Sequence, residues 1–292
     1  SMMPVNKPPS HPVPAGQKIV QVDIDDEALG RNVPLALGLQ ADARGALALL
    51  AAALAGRPLA MDDRWPESLR AERRRYRQRV EDIADARVTP GTNILNEASF
   101  ARQVAALLPP DAIVCFDGGQ IMEWTHTFIH PDDPRANLFV PGMGHLGFGL
   151  PMANAAKLVH PDRTVVCIAG DGAMAMTSQE LETAARYGLN VIVIVANDSH
   201  WGMYRPLGEQ LFQNRNFGTK LTDVDFAKVA EGYGCRGERI GAIEDLPAAF
   251  ARAQAARQPT VIDVQVDFTA HPMDDFWTGV ILRGVSFAAP PA

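Results

Sequence analysis

Short apolar runs alternate with amphipathic stretches along most of the chain. Six runs rich in Val and Ile predict β-strands: KIVQVDID (18–25), AIVCF (112–116), NLFV (137–140), TVVCIAG (164–170), NVIVIVA (190–196) and TVIDVQV (260–266). The spacing of apolar positions predicts helices over 43–56, 97–108, 179–187, 224–233 and 245–256, and another that ends near 159. Buried strands that alternate with helices form parallel sheets covered on both faces, so we expect an α/β fold with a three-layer doubly wound parallel sheet.

One stretch between these elements is strongly charged. RWPESLRAERRRYRQRVEDIADAR (64–87) interleaves basic and acidic residues. Such interleaving is typical of a solvated helix whose face carries salt bridges, and it argues against a nucleic-acid-binding patch.

Composition narrows the class of protein further. The 292 residues are 47% hydrophobic and 21% charged, which is typical of a soluble globular chain, and the net charge of −7 argues against nucleic acid as a partner. An anionic ligand would therefore need a local device such as a metal ion. No apolar run reaches eighteen residues, so we expect no membrane span. Cys115, Cys167 and Cys235 fit no metal motif, and we expect buried reduced thiols and a cytoplasmic location.

Two polar turns carry the candidate chemistry. Gly170-Asp171-Gly172 ends one predicted strand, and Asn197-Asp198-Ser199-His200 ends the next, and the two aspartates are 27 positions apart. Ligands of an open parallel sheet bind beyond the carboxyl ends of its strands, where adjacent turns can share a ligand. Because Mg²⁺ takes oxygen ligands, often one or two carboxylates with phosphate oxygens, the pair predicts a metal that carries a di- or triphosphate.

The helix predicted between these turns has its own boundary signals. Thr177 and Glu180 fit a T-x-x-E capping box at its start, and Gly188 is a typical helix stop.

A second glycine-rich motif competes with the metal site. GMGHLG (142–147) has the G-x-G-x-x-G spacing of a dinucleotide site, after a predicted strand and before a helix. However, the next strand ends in Gly170-Asp171-Gly172 rather than in a single acid for a ribose, and Pro151 falls in the first turns of the helix. A Rossmann-type nucleotide site remains open at this point.

The motifs together resemble a known family. GDG, then about two dozen residues, then an Asn-Asn-like doublet is similar to the thiamin diphosphate signature, and the phrases AIVCFDGGQ, PGMGHLGFGLPMANAAKL and DFAKVAEGYGCRGERI fit as well. Residues from about 92 to 270 resemble the diphosphate-binding domain of the acetolactate synthase-like family. The resemblance implies the thiamin diphosphate-binding fold, with thiamin diphosphate and Mg²⁺ as cofactors.

The resemblance also implies a role for individual residues. Asp171, Asp198 and the backbone carbonyl of His200 would hold Mg²⁺, although Asp198 stands where the family usually has Asn. Leu146 would support the bent conformation of thiamin, and Gly144 would accept the 4′-amino group through its carbonyl. The cofactor-binding positions implied in this way are Gly119, Gln120, Gly144, His145, Leu146, Gly170, Asp171, Gly172, Ala173, Asp198, His200, Trp201, Gly202 and Met203, with Tyr204 beside them. None of these is expected to be the catalytic acid, and the ring roles of His145 and His200 stay open.

In this family the catalytic glutamate comes from a pyrimidine-binding domain that precedes the segments seen here. We therefore expect residues 1–17 to be a disordered leader or tag, 18–57 a remnant of the middle domain, 58–92 a linker with a charged helix, 93–270 the cofactor domain and 271–292 a tail. The chain would be part of a larger enzyme, would need that domain from the same protein or another subunit, and would form a homo-oligomer.

The resemblance implies an enzyme that makes or breaks carbon–carbon bonds next to a carbonyl, most simply a carboligase acting on small 2-oxo acids. A 2-oxo acid decarboxylase and a 2-hydroxyacyl-CoA lyase are alternatives within the same superfamily. Rivals of another class are a non-catalytic cofactor-binding remnant and a dinucleotide-binding oxidoreductase. FAD occurs in some family members, but it is not predicted for this chain.

Overall fold

The computed structural model describes residues 16–31, 33–57, 64–86, 94–140, 144–205, 213 and 215–267. The described residues form two compact units, which divide within a long helix between Arg74 and Arg75. The expected leader lies almost wholly outside the described residues, as do Gly142 of the GMGHLG motif and the expected tail. No helix in the described part of the chain is long and apolar enough to cross a membrane.

The first unit contains a parallel pair of strands, one complete helix and half of a second helix. Its elements are β1 (Val20–Asp23), β2 (Leu37–Gln40), α1 (Ala43–Leu54) and the first half of α2 (Arg64–Asp85). Strand β2, which the sequence did not predict, pairs with β1 from Val20↔Leu37 to Asp23↔Gln40. Helix α1 has no buried residue, as expected for a piece too small to build its own core.

The second unit is a seven-stranded sheet with helices on both faces. After the second half of α2, its elements in chain order are β3 (Leu95–Asn96), α3 (Glu97–Leu107), β4 (Ile113–Phe116), α4 (Gln120–Phe128), β5 (Asn137–Leu138), α5 (Gly149–Val159), β6 (Val165–Gly170), α6 (Asp171–Thr177), α7 (Glu180–Arg186), β7 (Ile192–Asn197), α8 (Phe226–Gly232), β8 (Arg236–Ile240), α9 (Leu246–Ala255) and β9 (Thr260–Asp267). The sheet order is β3-β9-β7-β6-β4-β5, with β8 also paired to β9. Every described pairing in it is parallel.

Alternate strand residues enter two separate cores. On β6 and β7, Val166 and Ile194 pack in the cluster that holds α3, α4 and α9. Cys167 and Val193 pack in the opposite cluster with α5, α7 and α8. Side chains of a strand point alternately to its two faces, so this division confirms the three-layer doubly wound sheet.

Several local predictions were incomplete. The sequence did not predict α4, α6 or β8, and β5 is shorter than the predicted strand 137–140. Strand β8 pairs with β9, and Ile240 is its only buried residue. Its sequence, RGERI, therefore lacks the apolar run from which other strands were predicted. The charged helix is only partly solvated, since Val80 and Ala84 on α2 are buried against Ala98, Ala101 and Trp124.

The predicted capping box is wrong. Thr177 is the last residue of α6, and α7 begins after Gln179 without a side-chain cap. The hydroxyl of Thr177 instead donates to the carbonyl of Gly147 at 2.8 Å. A tertiary contact has taken the group that the local pattern assigned to the helix start. The predicted stop at Gly188 is confirmed, with a φ of +63°.

Candidate cofactor site

A cleft of about 150 Å³ opens at the carboxyl ends of β4, β6 and β7. All of the cofactor-binding residues predicted from the sequence line it, with the exception of His145, and Tyr204 lines it too. The exposed His145 ring contacts the neighbouring Phe148 ring, and its Nδ1 lies 2.7 Å from the carbonyl of Leu146. The fold therefore brings together segments that are far apart in the sequence.

Two acidic side chains lie at the ends of adjacent strands. Asp171 directly follows β6 and Asp198 directly follows β7, with Gly170 and Ala196 in register. Asp171 Oδ1 accepts a hydrogen bond from the Gly172 N–H at 2.6 Å, and Asp198 Oδ1 accepts one from the His200 N–H at 3.0 Å. The Oδ2 atom of each carboxylate is buried without a hydrogen-bond partner.

These unpartnered oxygens fit a bound cation. Buried polar atoms in folded proteins are almost always satisfied, so this pair has the capacity to accept a ligand, and two carboxylate oxygens suit a cation. Magnesium usually takes only one or two carboxylates and completes its shell with phosphate, carbonyl or water oxygens. In the described part of the chain no group of three or more His, Cys, Asp or Glu side chains could hold a metal. Other ligands at this pair would therefore come from backbone, water or a bound phosphate.

The pKa values of Asp171 and Asp198 are also consistent with a cation site. Burial raises the pKa of Asp171 to about 7, and the negative charge of Asp198 adds to this shift. Burial also raises the pKa of Asp198. Two buried carboxylates at close range oppose each other's ionisation, and a divalent cation between them would favour the ionised forms.

The turn after β7 has an unusual backbone. Ser199 has a φ of +57°, in the left-handed region that few residues other than glycine adopt. The His200 Nδ1 lies 2.7 Å from the carbonyl of Asp198, so the ring braces the turn. Backbone strain of this kind costs about 1–3 kcal/mol and persists only where surrounding contacts hold it.

Glycines form the wall beside the acidic pair. A Cβ atom on Gly172 would lie 2.4 Å from the Trp201 ring, so the indole packs directly against the backbone of this turn. Gly119 has a φ of +98° and precedes the first residue of α4, Gln120. The Gln120 Nε2 donates to Glu97 Oε2 at 2.6 Å. Nothing lies within 4 Å of a Cβ placed on Gly119, so a ligand can approach that backbone closely.

The opposite wall carries Leu146. Its Cδ2 lies 2.6 Å from the position that a Cβ on Gly118 would take, so the leucine packs over that glycine. Gly118, Gly147 and Gly149 each donate a backbone N–H to the buried carboxylate of Asp117, at 2.8, 2.9 and 2.9 Å. Asp117 thus ties the end of β4 to the loop that presents Leu146.

Sequence reasoning missed part of this site. Glu97, Gly118, Ile121 and Ala196 also line the cleft, and Asp117 supports it from behind. Asp117 could have been predicted from the sequence, because it follows an apolar strand just as Asp171 does. Nothing in the sequence signals Glu97, which lies on α3 and reaches the cleft only through the fold.

Comparison with known proteins identifies the family. The matching family model is described as thiamine pyrophosphate enzyme, C-terminal TPP binding domain, and it covers residues 117–264, about half of the chain. The chain belongs to the thiamine pyrophosphate enzymes. The matched region contains both strands of the acidic pair and the cleft walls at Gly119 and Leu146, and the resemblance to the acetolactate synthase-like family is confirmed.

Relatives of this thiamine pyrophosphate domain act in several ways. The acetolactate synthase large subunit of Haemophilus influenzae is 29% identical over 260 residues, 87% of this chain and 44% of that protein. The pyruvate oxidase of Lactiplantibacillus plantarum is 32% identical over 253 residues, 85% of this chain and 40% of that protein. The chain spans less than half the length of these curated relatives.

A solved structure supports the same family. The thiamine diphosphate-dependent 4-hydroxybenzoylformate decarboxylase of Rhodococcus jostii superposes with a TM-score of 0.70 and 27% identity, over 88% of this chain and 45% of that one. The doubly wound sheet and the cleft at its carboxyl edge therefore belong to a thiamine pyrophosphate-binding domain.

Proposed function

We propose that this chain is the diphosphate-binding part of a thiamin diphosphate- and Mg²⁺-dependent enzyme that makes or breaks a carbon–carbon bond next to a carbonyl of a 2-oxo acid. The observation that carries the proposal is the buried pair Asp171 and Asp198, each with an unpartnered Oδ2 at adjacent strand ends. Pyruvate and 4-hydroxybenzoylformate, which appear in the names of two relatives, are both 2-oxo acids.

Each wall of the cleft has a proposed task. Asp171, Asp198 and the carbonyl of His200 would hold the metal, which would supply positive charge for the diphosphate of the cofactor. The backbone amides at Gly119–Gln120 and at Gly172–Ala173 would contact the diphosphate. The side-chain position of Gly119 is open, whereas that of Gly172 is filled by the Trp201 ring. Leu146, packed over Gly118, supports the ring portion of the cofactor. Thiamin diphosphate, when bound, supplies the electron sink for the bond-changing chemistry.

A pyrimidine-binding domain, from the same protein or from another subunit, is proposed to complete this site. The larger size of the relatives supports the proposal. Acetolactate formation or 2-oxo acid decarboxylation by the purified 292-residue chain alone, at rates typical of enzymes, would contradict it.

Decarboxylation without carboligation is the second candidate, favoured by the structural likeness to a decarboxylase. Product analysis with pyruvate, after the pyrimidine-binding domain has been supplied, separates the two. Acetolactate indicates a carboligase, and acetaldehyde alone indicates a decarboxylase.

Calorimetric titration with thiamin diphosphate, with and without Mg²⁺, tests the cofactor site directly. We expect binding that requires Mg²⁺ and that falls at least a hundredfold in an Asp171→Ala variant, because a buried metal ligand is lost. The control is Asp133→Ala, which removes the partner of the exposed Arg135 outside the cleft. Failure of the wild-type chain to bind at any Mg²⁺ concentration even when the pyrimidine-binding domain is supplied, or equal binding by Asp171→Ala, would contradict the proposal.

A further inference from the structure

A buried acid lies in the sheet behind the proposed metal site. Asp263 is the fourth residue of β9, is 0% exposed, and pairs with Val195 of β7. Its neighbours along β9 are the buried apolar side chains of Ile262 and Val264. Burying a carboxylate is unfavourable unless it is paired and hydrogen-bonded. The contacts of Asp263 therefore show what this buried charge stabilises.

Both carboxylate oxygens of Asp263 are used. Oδ1 accepts a hydrogen bond from Asn197 Nδ2 at 3.1 Å, and Oδ2 accepts one from the Phe226 N–H at 3.0 Å. Arg239 Nε lies 3.7 Å from Oδ2, and the same guanidinium bonds Asp223 at 2.6 Å. One carboxylate thus joins the last residue of β7, the first residue of α8 and the side chain of a β8 residue.

The contacts continue into a segment that lies behind the turn after β7. We call residues 197–201 the Asp198 turn and residues 219–226 the backing segment. Three further hydrogen bonds join the two: Asn197 Nδ2 to the Val224 carbonyl at 2.9 Å, the Leu221 N–H to the Ser199 carbonyl at 2.7 Å and the Trp201 N–H to the Thr219 carbonyl at 2.7 Å. His200 and Lys220 form an antiparallel bridge between them.

The Asp198 turn depends on such contacts for its shape. It lies outside any regular helix or strand after Asn197, and Ser199 holds a φ of +57°. Asn197, the first residue of the turn, is hydrogen-bonded both to the backing segment and to the Asp263 carboxylate. Asp198 follows Asn197 directly, so a shift of that anchor moves the carboxylate that faces the cleft.

We infer that Asp263 is a positioning residue, whose carboxylate acts through Asn197 and the backing segment to hold Asp198 and the His200 carbonyl where a metal ion can be bound. Asp263 itself does not line the cleft. The inference rests on the proposed function for its metal, whereas the ordering of the Asp198 turn stands on the hydrogen bonds alone.

The test uses the full chain with an isosteric substitution, Asp263→Asn. The Asn side chain can accept from the Phe226 N–H or from Asn197, but its own amide then faces the other donor, so one of the two bonds is lost. Asn197→Ala removes the same Asp263–Asn197 bond from the other side and carries the test if Asp263→Asn does not fold. The matched control is Asn154→Ala, which removes one buried amide bond, to the Glu180 carbonyl at 3.0 Å, on α5.

Hydrogen exchange without cofactor gives the first measurement. We expect the amides of Trp201 and Leu221 to exchange about tenfold faster or more in Asp263→Asn and in Asn197→Ala. Their hydrogen bonds, to the Thr219 and Ser199 carbonyls, join the Asp198 turn to the backing segment and would be loosened. The Asn154→Ala control should leave these two amides unchanged. Wild-type exchange at both amides in the Asp263→Asn chain would overturn the inference.

The second measurement is the Mg²⁺ concentration that gives half-maximal thiamin diphosphate binding by calorimetry. Removing a residue that orients a metal ligand lowers metal affinity roughly ten- to hundredfold, so we expect the half-saturating Mg²⁺ to rise by about that factor. At saturating Mg²⁺ the cofactor affinity should return to near the wild-type value. Asn154→Ala should leave the Mg²⁺ dependence unchanged even where it lowers Tm.

The two measurements separate the possible failures. Faster exchange with an unchanged Mg²⁺ dependence would show that Asp263 has a structural role only, and would overturn the inference. Absence of Mg²⁺-dependent binding in the wild-type chain, with the pyrimidine-binding domain supplied, would contradict the proposed function, while the exchange rates would still decide whether Asp263 holds the turn.

Discussion

At the scale of single residues, the cleft holds two buried carboxylates whose desolvation and mutual repulsion a bound cation would offset. Asp171 is 5% exposed, its Oδ2 has no hydrogen-bond partner, and Asp198 lies close enough to raise its pKa. Folding alone does not favour such a pair, because each carboxylate loses water without gaining a cation. The arrangement is therefore better explained by what it binds than by what it contributes to stability.

This leads to a pH prediction for the metal-free chain. The pKa of Asp171 is about 7 in the folded state against an ordinary 3.8, so between these values the folded state keeps a proton that the unfolded state has lost. The contribution of Asp171 to the free energy of unfolding is full below about pH 4 and falls as pH rises to about 7, by up to about 1.4 kcal/mol for each pH unit. Above pH 7 no further loss is expected.

An Asp171→Asn variant, studied with a chelator present, tests this expectation. We expect its Tm to exceed the wild-type Tm at pH 8 and the difference to shrink towards pH 4. Asp162→Asn, on an exposed loop, serves as the control. A Tm difference between Asp171→Asn and wild type that stays constant from pH 4 to pH 8 would count against the electrostatic account.

At the scale of elements, the loops at the sheet edge are tied together by carboxylates as much as by apolar contacts. Asp117 is 2% exposed, and its carboxylate accepts hydrogen bonds from the backbone N–H groups of Gly118 and Gly147. Burial raises its pKa, and the backbone hydrogen bonds oppose that shift. The Asp117 carboxylate therefore holds the loop that carries Leu146 to the turn after β4.

Replacing Asp117 by Asn should loosen this connection. The Asn side chain keeps one acceptor oxygen and turns an N–H₂ group towards a backbone donor, so we expect a loss of about 2 kcal/mol in the free energy of unfolding. Thiamin diphosphate affinity should fall too, because the loop that carries Leu146 is less well held. Denaturant unfolding and calorimetry measure both, with the exposed Asp133→Asn as control. Wild-type stability in Asp117→Asn would show that the three hydrogen bonds add little.

The elements also show how far the sequence could predict this fold. The β6 and β7 runs are apolar because both faces are covered, and for that reason their positions were predicted to within two residues. Helix α6 was missed because Gly170-Asp171-Gly172 has the composition of a turn, whereas Asp171 already begins a helix. Thr177 was assigned to a cap because its partner, the Gly147 carbonyl, is distant in sequence. Local patterns therefore predicted the sheet better than its connections.

The site shows the same limit. Asp171 and Asp198 could be paired from the sequence, because parallel strands bring their carboxyl ends to one edge. The packing of Trp201 on Gly172 and the bond from Gln120 to Glu97 could not, since each depends on where a loop or helix crosses the cleft. The hydrogen bonds of Asp263 could not be predicted for a similar reason, because TVIDVQV has the pattern of an ordinary buried strand.

At the scale of the whole molecule, the cleft and its supports fall within one of the two compact units. Every lining residue lies between Glu97 and Tyr204, and the supporting Asp117, Asn197 and Asp263 lie in the same unit. Both apolar clusters that cover the sheet also belong to it. The parallel pair β1–β2 and α1 contribute none of these residues.

This division predicts that a fragment of residues 64–274, which keeps helix α2 whole, retains the cofactor site. We expect its Mg²⁺-dependent affinity for thiamin diphosphate to lie within about threefold of that of the full chain, because no cleft residue is removed. Calorimetry on the fragment, with its own Asp171→Ala variant as the negative control, makes the comparison. A folded fragment that binds more than tenfold more weakly would mean that the first unit supports the site, contrary to the division seen in the contacts. A binding fragment would then be the smallest piece on which the Asp263 and Asp117 variants can be compared, free of any contribution from residues before Arg64.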